Sequence, residues 1–366
     1  MEKVIDLNPV SRPKTAAPWS RISVRSRIIL FVTSVIPAAV FLLLLVTLQL
    51  DFMAGLLLAF LPMQAVSSAI AGVLIYGRRG ILDGLLVVAT MFLGSFVFVL
   101  LVSVLWSVVQ AGFSTLSPQF IYQNDRYVTP TTGLEIGGVG HAILGTLLIV
   151  GLSTIITVPL ALATAVYLTE TRGKSRGLIR MLLQAMSGLP SVVTGLFIYS
   201  MLILSGFTAY AGWTGSLALI PLMLPTVARV AEESLRLVPA ELRNGALGLG
   251  ASAWSAFSMV TLPAAKSGLV TAVLLGVARI IGETAPLLLT TSLANTTNLN
   301  LLEGGISTIP TYLYGYVSLG YDTSIQRAWG AALVLLMLVG ILFIAARVAS
   351  SPKSAKKTPR SEVKGK

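Results

Sequence analysis

Arg279 and Glu283 are the residues of this 366-residue chain whose types and spacing most directly suggest chemistry. They stand four residues apart in ARIIGETAPLLLTT, inside an apolar run from Leu269 to Leu289, so a helix through the run carries both on one face. A charge at the centre of a bilayer costs roughly 2.5–3.5 kcal/mol on insertion scales, whereas an i,i+4 ion pair returns about 0.2–0.5 kcal/mol. The pair must therefore face protein or a watery path. Two readings stay open: a buried ion pair that locks helix packing, or a path site where Arg279 attracts an anion and Glu283 prevents its permanent capture. Gly282 and Pro286 loosen the backbone at that depth. Arg279, Glu283 and Thr284 form the candidate path set, with Arg279 expected to be the only cation buried in a span.

Other chemistries find little support. There is no cysteine, which removes disulfides, thiolate metal sites and Cys nucleophiles, and a single histidine, His141, cannot build a His-rich metal site. His141 opens an apolar run beside Gly140 and reads as a hydrogen-bonded packing residue. Gly173-Lys174-Ser175 resembles the end of a phosphate-binding loop, but Leu168 stands where that motif needs its first glycine, and no strand precedes it. Gly248-x-Gly250-x-x-Ala253 lacks a surrounding β-α-β unit. Neither an ATP site nor an enzymatic constellation is expected.

The second informative stretch is the polar interruption between Arg229 and Pro263. Leu235, Val238, Leu242 and Leu249 read as one helical stripe flanked by Glu232, Glu233, Arg236, Glu241 and Arg243. Pro239 is expected to stop one helix and start another, with Glu241 at the new positive end. Gly245, Gly248 and Gly250 are expected to end or bend the short helix. An elbow with an apolar ridge and a charged rim suits docking to another protein.

The elements that must hold these residues are membrane helices. Mean hydropathy is +0.86 and only 11% of residues are charged, a composition that soluble chains of this length do not have. Runs long enough to span lie at 28–50, 52–76, 85–109, 141–168, 178–205, 212–229, 265–291 and 328–347, giving an all-α polytopic protein of about eight transmembrane helices. Lys and Arg collect in residues 1–27, at Arg78 and Arg79, in TRGKSRGLIR, around the elbow and in the tail. The other side holds only Arg126 and Arg327, so both termini and the elbow are read as cytoplasmic. The net charge of +12 is thus a topology signal with some attraction to membrane lipid, not a nucleic-acid signal. The outer segment 110–140 reads as an ordered loop. The outer segment 292–327, with Tyr312, Tyr314, Tyr316 and Tyr321, reads either as an interfacial aromatic belt or as a surface or re-entrant helix touching an external partner.

At these residues the chain resembles the membrane subunits of binding-protein-dependent ABC importers. Their cytoplasmic signature is Glu-Ala-Ala, three residues, Gly, nine residues, an aliphatic, one residue and Leu-Pro. Asn244-Gly245-Ala246, Gly250, Val260 and Leu262-Pro263 meet that spacing here, with Asn244 in place of Glu and Gly245 in place of Ala. The strings EESLRLVPAELRNGALGLGAS, LPAAKSGLVTAVLLGVARIIGETAPLLLT and QAMSGLPSVVTGLF resemble the A-type subunits of phosphate permeases over roughly residues 85–350. The resemblance implies a six-helix permease core, a homologous C-type permease partner, two cytoplasmic ATPases that bind the ATP and Mg, an external phosphate-binding protein, and no cofactor on this chain. It implies a bacterial or archaeal inner membrane, and ATPase docking by Glu241, Leu242, Arg243, Asn244, Gly245, Ala246, Leu247 and Gly250. Glu241 or Arg243 would replace the charge that Asn244 lacks. The implied division is a basic leader (1–27), an added transmembrane hairpin (28–76), a permease domain (77–350) containing the coupling segment 230–263, and a basic tail (351–366). A permease for sulfate or molybdate, or from another class a secondary anion carrier, remains the alternative.

Overall fold

The computed structural model describes residues 24–48, 55–171 and 173–350; the leader through residue 23, the hairpin turn at Asp51 and the tail from 351 lie outside the described residues. All regular structure among them is helical, and the chain divides into two compact units, residues 1–105 and 106–366.

In the first unit, α1 (Val24–Leu48) packs on α2 (Leu61–Tyr76), where Ser67 Oγ donates to the Thr33 carbonyl at 2.6 Å. A 3-10 turn at Gly77–Arg79 then leads into α3 (Gly80–Phe113). Gly77 sits at φ 73°, a left-handed conformation that glycine adopts without strain, and this lets the chain reverse. Ser68 Oγ donates to the Gly84 carbonyl at 2.9 Å, and a Cβ on Gly72 would lie 1.9 Å from the Gly80 carbonyl oxygen. Small residues thus let the two backbones touch, the usual device of helices in lipid.

The second unit is built around α8 (Gly212–Arg236). The short α4 (Pro118–Tyr122) precedes α5 (Gly140–Glu170), and α6 (Arg176–Ser187) and α7 (Ser191–Ile198) lead into α8. Gly215, Ser216, Ala218, Ala228 and Ala231 are buried on α8, and their small size admits close neighbours. Buried hydroxyls cross-link these neighbours: Ser153 Oγ donates to the Ser216 carbonyl at 3.1 Å, Ser216 Oγ to the Ile149 carbonyl at 3.0 Å, and Thr214 Oγ1 to the Thr290 carbonyl at 2.8 Å. Beyond α8 come α9 (Ala240–Gly248), α10 (Ala253–Ala256), α11 (Leu262–Ile281), α12 (Ala285–Thr290), α13 (Ile309–Leu319) and α14 (Asp322–Ser350).

Six helical runs among the described residues are long and apolar enough to cross a membrane, seven if one bent pair counts as a single span. Two expected spans are broken. The run 178–205 splits at Gly188-Leu189-Pro190 into α6 and α7, bent by 98°, because Pro190 offers no N–H and pushes Leu189 out of the helical region. The run 265–291 ends at Ile281 and restarts at Ala285. The halves meet where Gly195 of α7 lies against Pro286, close enough that a Cβ at Gly195 would come within 2.5 Å of the proline Cα.

The segments 110–140 and 292–327 close into one polar knot. Arg327, 1% exposed at the start of α14, donates through Nη2 to the carbonyls of Gly133 and Ile136 at 2.7 Å and of Thr132 at 3.3 Å. Asp125 is likewise buried; its Oδ1 accepts from the Gly138 N–H at 2.9 Å and its Oδ2 from the Tyr316 hydroxyl at 2.5 Å. The segment 110–140 is therefore ordered, as its composition suggests. The tyrosines of 292–327 divide instead of forming one belt: Tyr312 and Tyr316 pack inside the knot with ring centroids 4.4 Å apart and planes tilted by 33°, while Tyr314 and Tyr321 are exposed. Burial, then the hydrogen bond to Asp125, pushes the Tyr316 phenol well above its usual range. Burial and the Asp125 charge do the same at Tyr312. His141 is buried edge-on to Tyr312, as a packing residue.

Candidate functional site

The register of α11 on α8 fixes the depth of Arg279. Gly268 lies on Ser234 and Gly276 on Val227, each so close that a Cβ would come within 2.5 Å of the facing side chain, with Met223 3.1 Å from the Gly276 position. The helices are antiparallel, so Arg279, three residues beyond Gly276, lies level with the middle of α8. Its side chain is exposed, uncovered by the rest of the chain. Thr271 and Leu275 are exposed at the two preceding four-residue steps, as is Ser267 before them, so Arg279 tops a continuous face carrying two hydroxyl residues. Ser267 and Thr271 escaped the reading of the sequence; their spacing from Arg279 in multiples of four residues was the available signal.

Two expectations about this site change. Among the described residues the buried cation is Arg327, in the knot at the start of α14, where its guanidinium finds loop carbonyls, whereas Arg279 is open. Arg279 and Glu283 also do not share a continuous helix. Gly282 ends α11, and the Glu283 N–H closes on the Ile280 carbonyl at 3.2 Å, leaving Glu283 and Thr284 half-buried in the break before α12. No ion pair joins Arg279 to Glu283 among the described residues. The locked-pair reading therefore has no support in the geometry.

The elbow forms the second site. Pro239 caps the start of α9 and Glu241 occupies its first turn, as its sequence dictates. Glu241, Leu242, Asn244, Gly245, Leu247 and Gly250 are exposed, while Arg243 and Ala246 are half-buried. Arg243 reaches inward to Glu170 at 2.5 Å, which ties α9 to the end of α5 and leaves Glu241 as the outward charge of the two. Gly245 and Gly248 lie inside the helix. Only Gly250 breaks the chain, at φ 87°, after the Gly250 N–H bonds to the Leu247 carbonyl at 3.0 Å. The expected stripe is split among elements, because Pro239 stops α8: Leu235 is buried in the core, Val238 sits in the turn, and Leu249 is 91% exposed.

Basic residues near the elbow also brace it. Glu232 of α8 holds Arg180 of α6 and Arg236 of its own helix, each at 2.7 Å, and Arg229 donates to Gln184 and Ser187. The clamp fixes α6 to the end of α8 that leads into the elbow.

With this geometry in view, similarity to known proteins is specific. Residues 157–351 match the family described as binding-protein-dependent transport system inner membrane component. The phosphate transport system permease protein PstA 1 of Mycobacterium tuberculosis (strain CDC 1551 / Oshkosh) is 36% identical over 264 residues, which cover 71% of this chain and 86% of that protein. The phosphate transport system permease protein PstA of Pasteurella multocida is 34% identical over 253 residues, 69% of this chain and 88% of its own length. Its Haemophilus influenzae counterpart is 37% identical over 239 residues, 64% and 82% of the respective chains. Matched over more than half its length, and 36% identical to one such permease over 71% of its length, this chain belongs to the binding-protein-dependent transport system inner membrane component family.

Proposed function

We propose that the chain is a permease subunit of an ATP-driven importer for inorganic phosphate. It forms the translocation path with a homologous permease and couples through α9 to cytoplasmic ATPase subunits, which bind and hydrolyse the ATP. The observation that carries this reading is Arg279, exposed and without an ion pair among the described residues, at the depth of the middle of α8. A guanidinium at that depth cannot rest against lipid tails, so its face belongs to an aqueous path or to a second subunit. A dianionic oxyanion crossing hydrocarbon needs such a positive field along its way. Phosphate as the oxyanion is supported by the names of the relatives.

The finer architecture follows from the same reading. The run Leu58–Phe113 is too long for one crossing at 56 residues, and its reversal at Gly77 makes it two. With the bent pair α6–α7 counted once, through its second half Ser191–Leu204, the crossings number eight: the hairpin of residues 28–76 and a six-helix permease core. Positive-inside asymmetry puts both termini and α9 in the cytoplasm, and an external phosphate-binding protein delivers substrate to the opposite face. Closure of the ATPases tilts α8 and α11 through the elbow that joins them.

The test is purification in mild detergent with identification of co-eluting chains, followed by reconstitution of the complex. An ATPase and a second permease are expected to co-elute, and phosphate uptake is expected to follow ATP and not membrane potential. Uptake driven by potential alone would turn the assignment to a secondary carrier; ATP-driven uptake of sulfate or molybdate in preference to phosphate would replace the substrate.

A further inference from the structure

The bend at Gly188-Leu189-Pro190 creates a surface that the permease reading does not use. α6 runs at 98° to the helix that follows it, so a chain in which α7 enters the bilayer has α6 lying along the membrane surface. Its depth is set by polar contacts with the end of α8 that leads into the elbow: Arg180 with Glu232, and Arg229 with Gln184 and Ser187.

The residues of α6 sort into three faces. Ile179, Leu183 and Met186 turn toward the core, with Leu183 fully buried. Gly177, Arg180, Gln184 and Ser187 make a polar edge, at which Arg180 and Gln184 meet α8. Leu178, Met181, Leu182 and Ala185 form the third face, continuous with the first, and the chain leaves it bare: Leu178 is 54%, Met181 60% and Leu182 51% exposed. One apolar arc therefore covers more than half the helix, and the protein occupies only part of it.

We propose that this bare half of the arc is seated in phospholipid, with α6 acting as an in-plane float in the leaflet on the side of the elbow. An apolar stripe backed by a polar, basic edge is the pattern that places a helix in the interface, its apolar side sunk about 5–10 Å below the headgroups. The charges agree with that depth. Lys174, exposed just ahead of the helix, and Arg180 on the polar edge stand at headgroup level, where anionic lipid attracts them. The float holds the start of α7 at constant depth, so the clamp through Glu232 ties the elbow end of α8 to the bilayer surface as well as to the protein.

The absence of native cysteine gives a direct test. Met181→Cys and Leu182→Cys, with Gly177→Cys on the polar edge for comparison, are spin-labelled in the complex purified with its partner subunits and reconstituted in phosphatidylethanolamine–phosphatidylglycerol vesicles. Labels at 181 and 182 are expected to relax strongly with oxygen and weakly with a water-soluble nickel chelate, and the label at 177 to reverse that order. All three variants must retain ATP-driven uptake, which separates misfolding from misplacement. Preference for the nickel chelate at 181 and 182 would mean the face lines water. Shielding from both reagents would mean another protein surface covers it. Either result overturns the lipid assignment while leaving the permease assignment standing.

Discussion

Arg279 and Tyr316 show how differently two side chains can matter in this fold. Replacing Arg279 by Ala is expected to lower phosphate uptake about 100-fold, the scale of losing a charge-stabilising donor, with the partner chains still co-purifying; normal uptake would eliminate its role in the path. Tyr316→Phe is expected to act on stability. It strips Asp125 Oδ2 of a 2.5 Å hydrogen bond inside a buried knot, at a cost of about 1.5–3 kcal/mol for a bond to a charged group. The pH dependence has a definite sign. The folded-state pKa of Tyr316 is raised, so its contribution is complete below the unfolded value of about 10 and is lost as pH climbs through the folded value. Thermal midpoints of the native protein and of Tyr316→Phe should differ by a constant amount through neutral pH and converge only in strong alkali. A gap that already closed at neutral pH would contradict this account. At this scale the sequence is readable by type but not by neighbour. The cost of a charge in hydrocarbon singles out Arg279, yet nothing local reveals that Arg327 would be enclosed by carbonyls from a loop some 190 residues away.

At the scale of elements, α9 carries the clearest expectation. Leu242 and Leu247 are exposed apolar residues on a helix otherwise edged by charge. Leu242→Asp or Leu247→Asp is expected to abolish co-purification of the ATPase while the protein remains in the membrane; unchanged co-purification would remove α9 from the docking role. Pro239 announced the start of this helix because its chemistry is local: a missing N–H and a fixed φ. The stripe from Leu235 to Leu249 misled for the opposite reason. Periodicity assumes an unbroken helix, and Pro239 divides this one, so residues at matching offsets point in unrelated directions. The breaks at Gly188-Leu189-Pro190 and Gly282-Glu283-Thr284 are visible as Gly and Pro in apolar runs, but a bend of 98° depends on what the following half-helix packs against. Here that partner is α12, through Gly195 and Pro286, and no single window of sequence contains both.

For the whole molecule, the two compact units imply separable roles. The family match lies entirely within the second unit, at residues 157–351. Deleting residues 1–79 is expected to leave complex assembly and ATP-driven uptake in place, measured in the same reconstituted vesicles; loss of assembly would make the added hairpin part of the machine. Membrane-spanning character is legible from composition alone, since so few charges cannot clothe a water-soluble fold, and the length of the apolar runs makes it helical. Span counting is less secure, because hydropathy registers apolar length but not whether a run crosses, turns back or lies flat. The uncovered Arg279 has a final consequence, in biogenesis. A copy synthesised without its companion permease would present a guanidinium to lipid at a cost of roughly 2.5–3.5 kcal/mol, and pairing removes that exposure. An unpartnered copy is therefore an unfinished surface, and seating of its guanidinium is expected to wait on assembly.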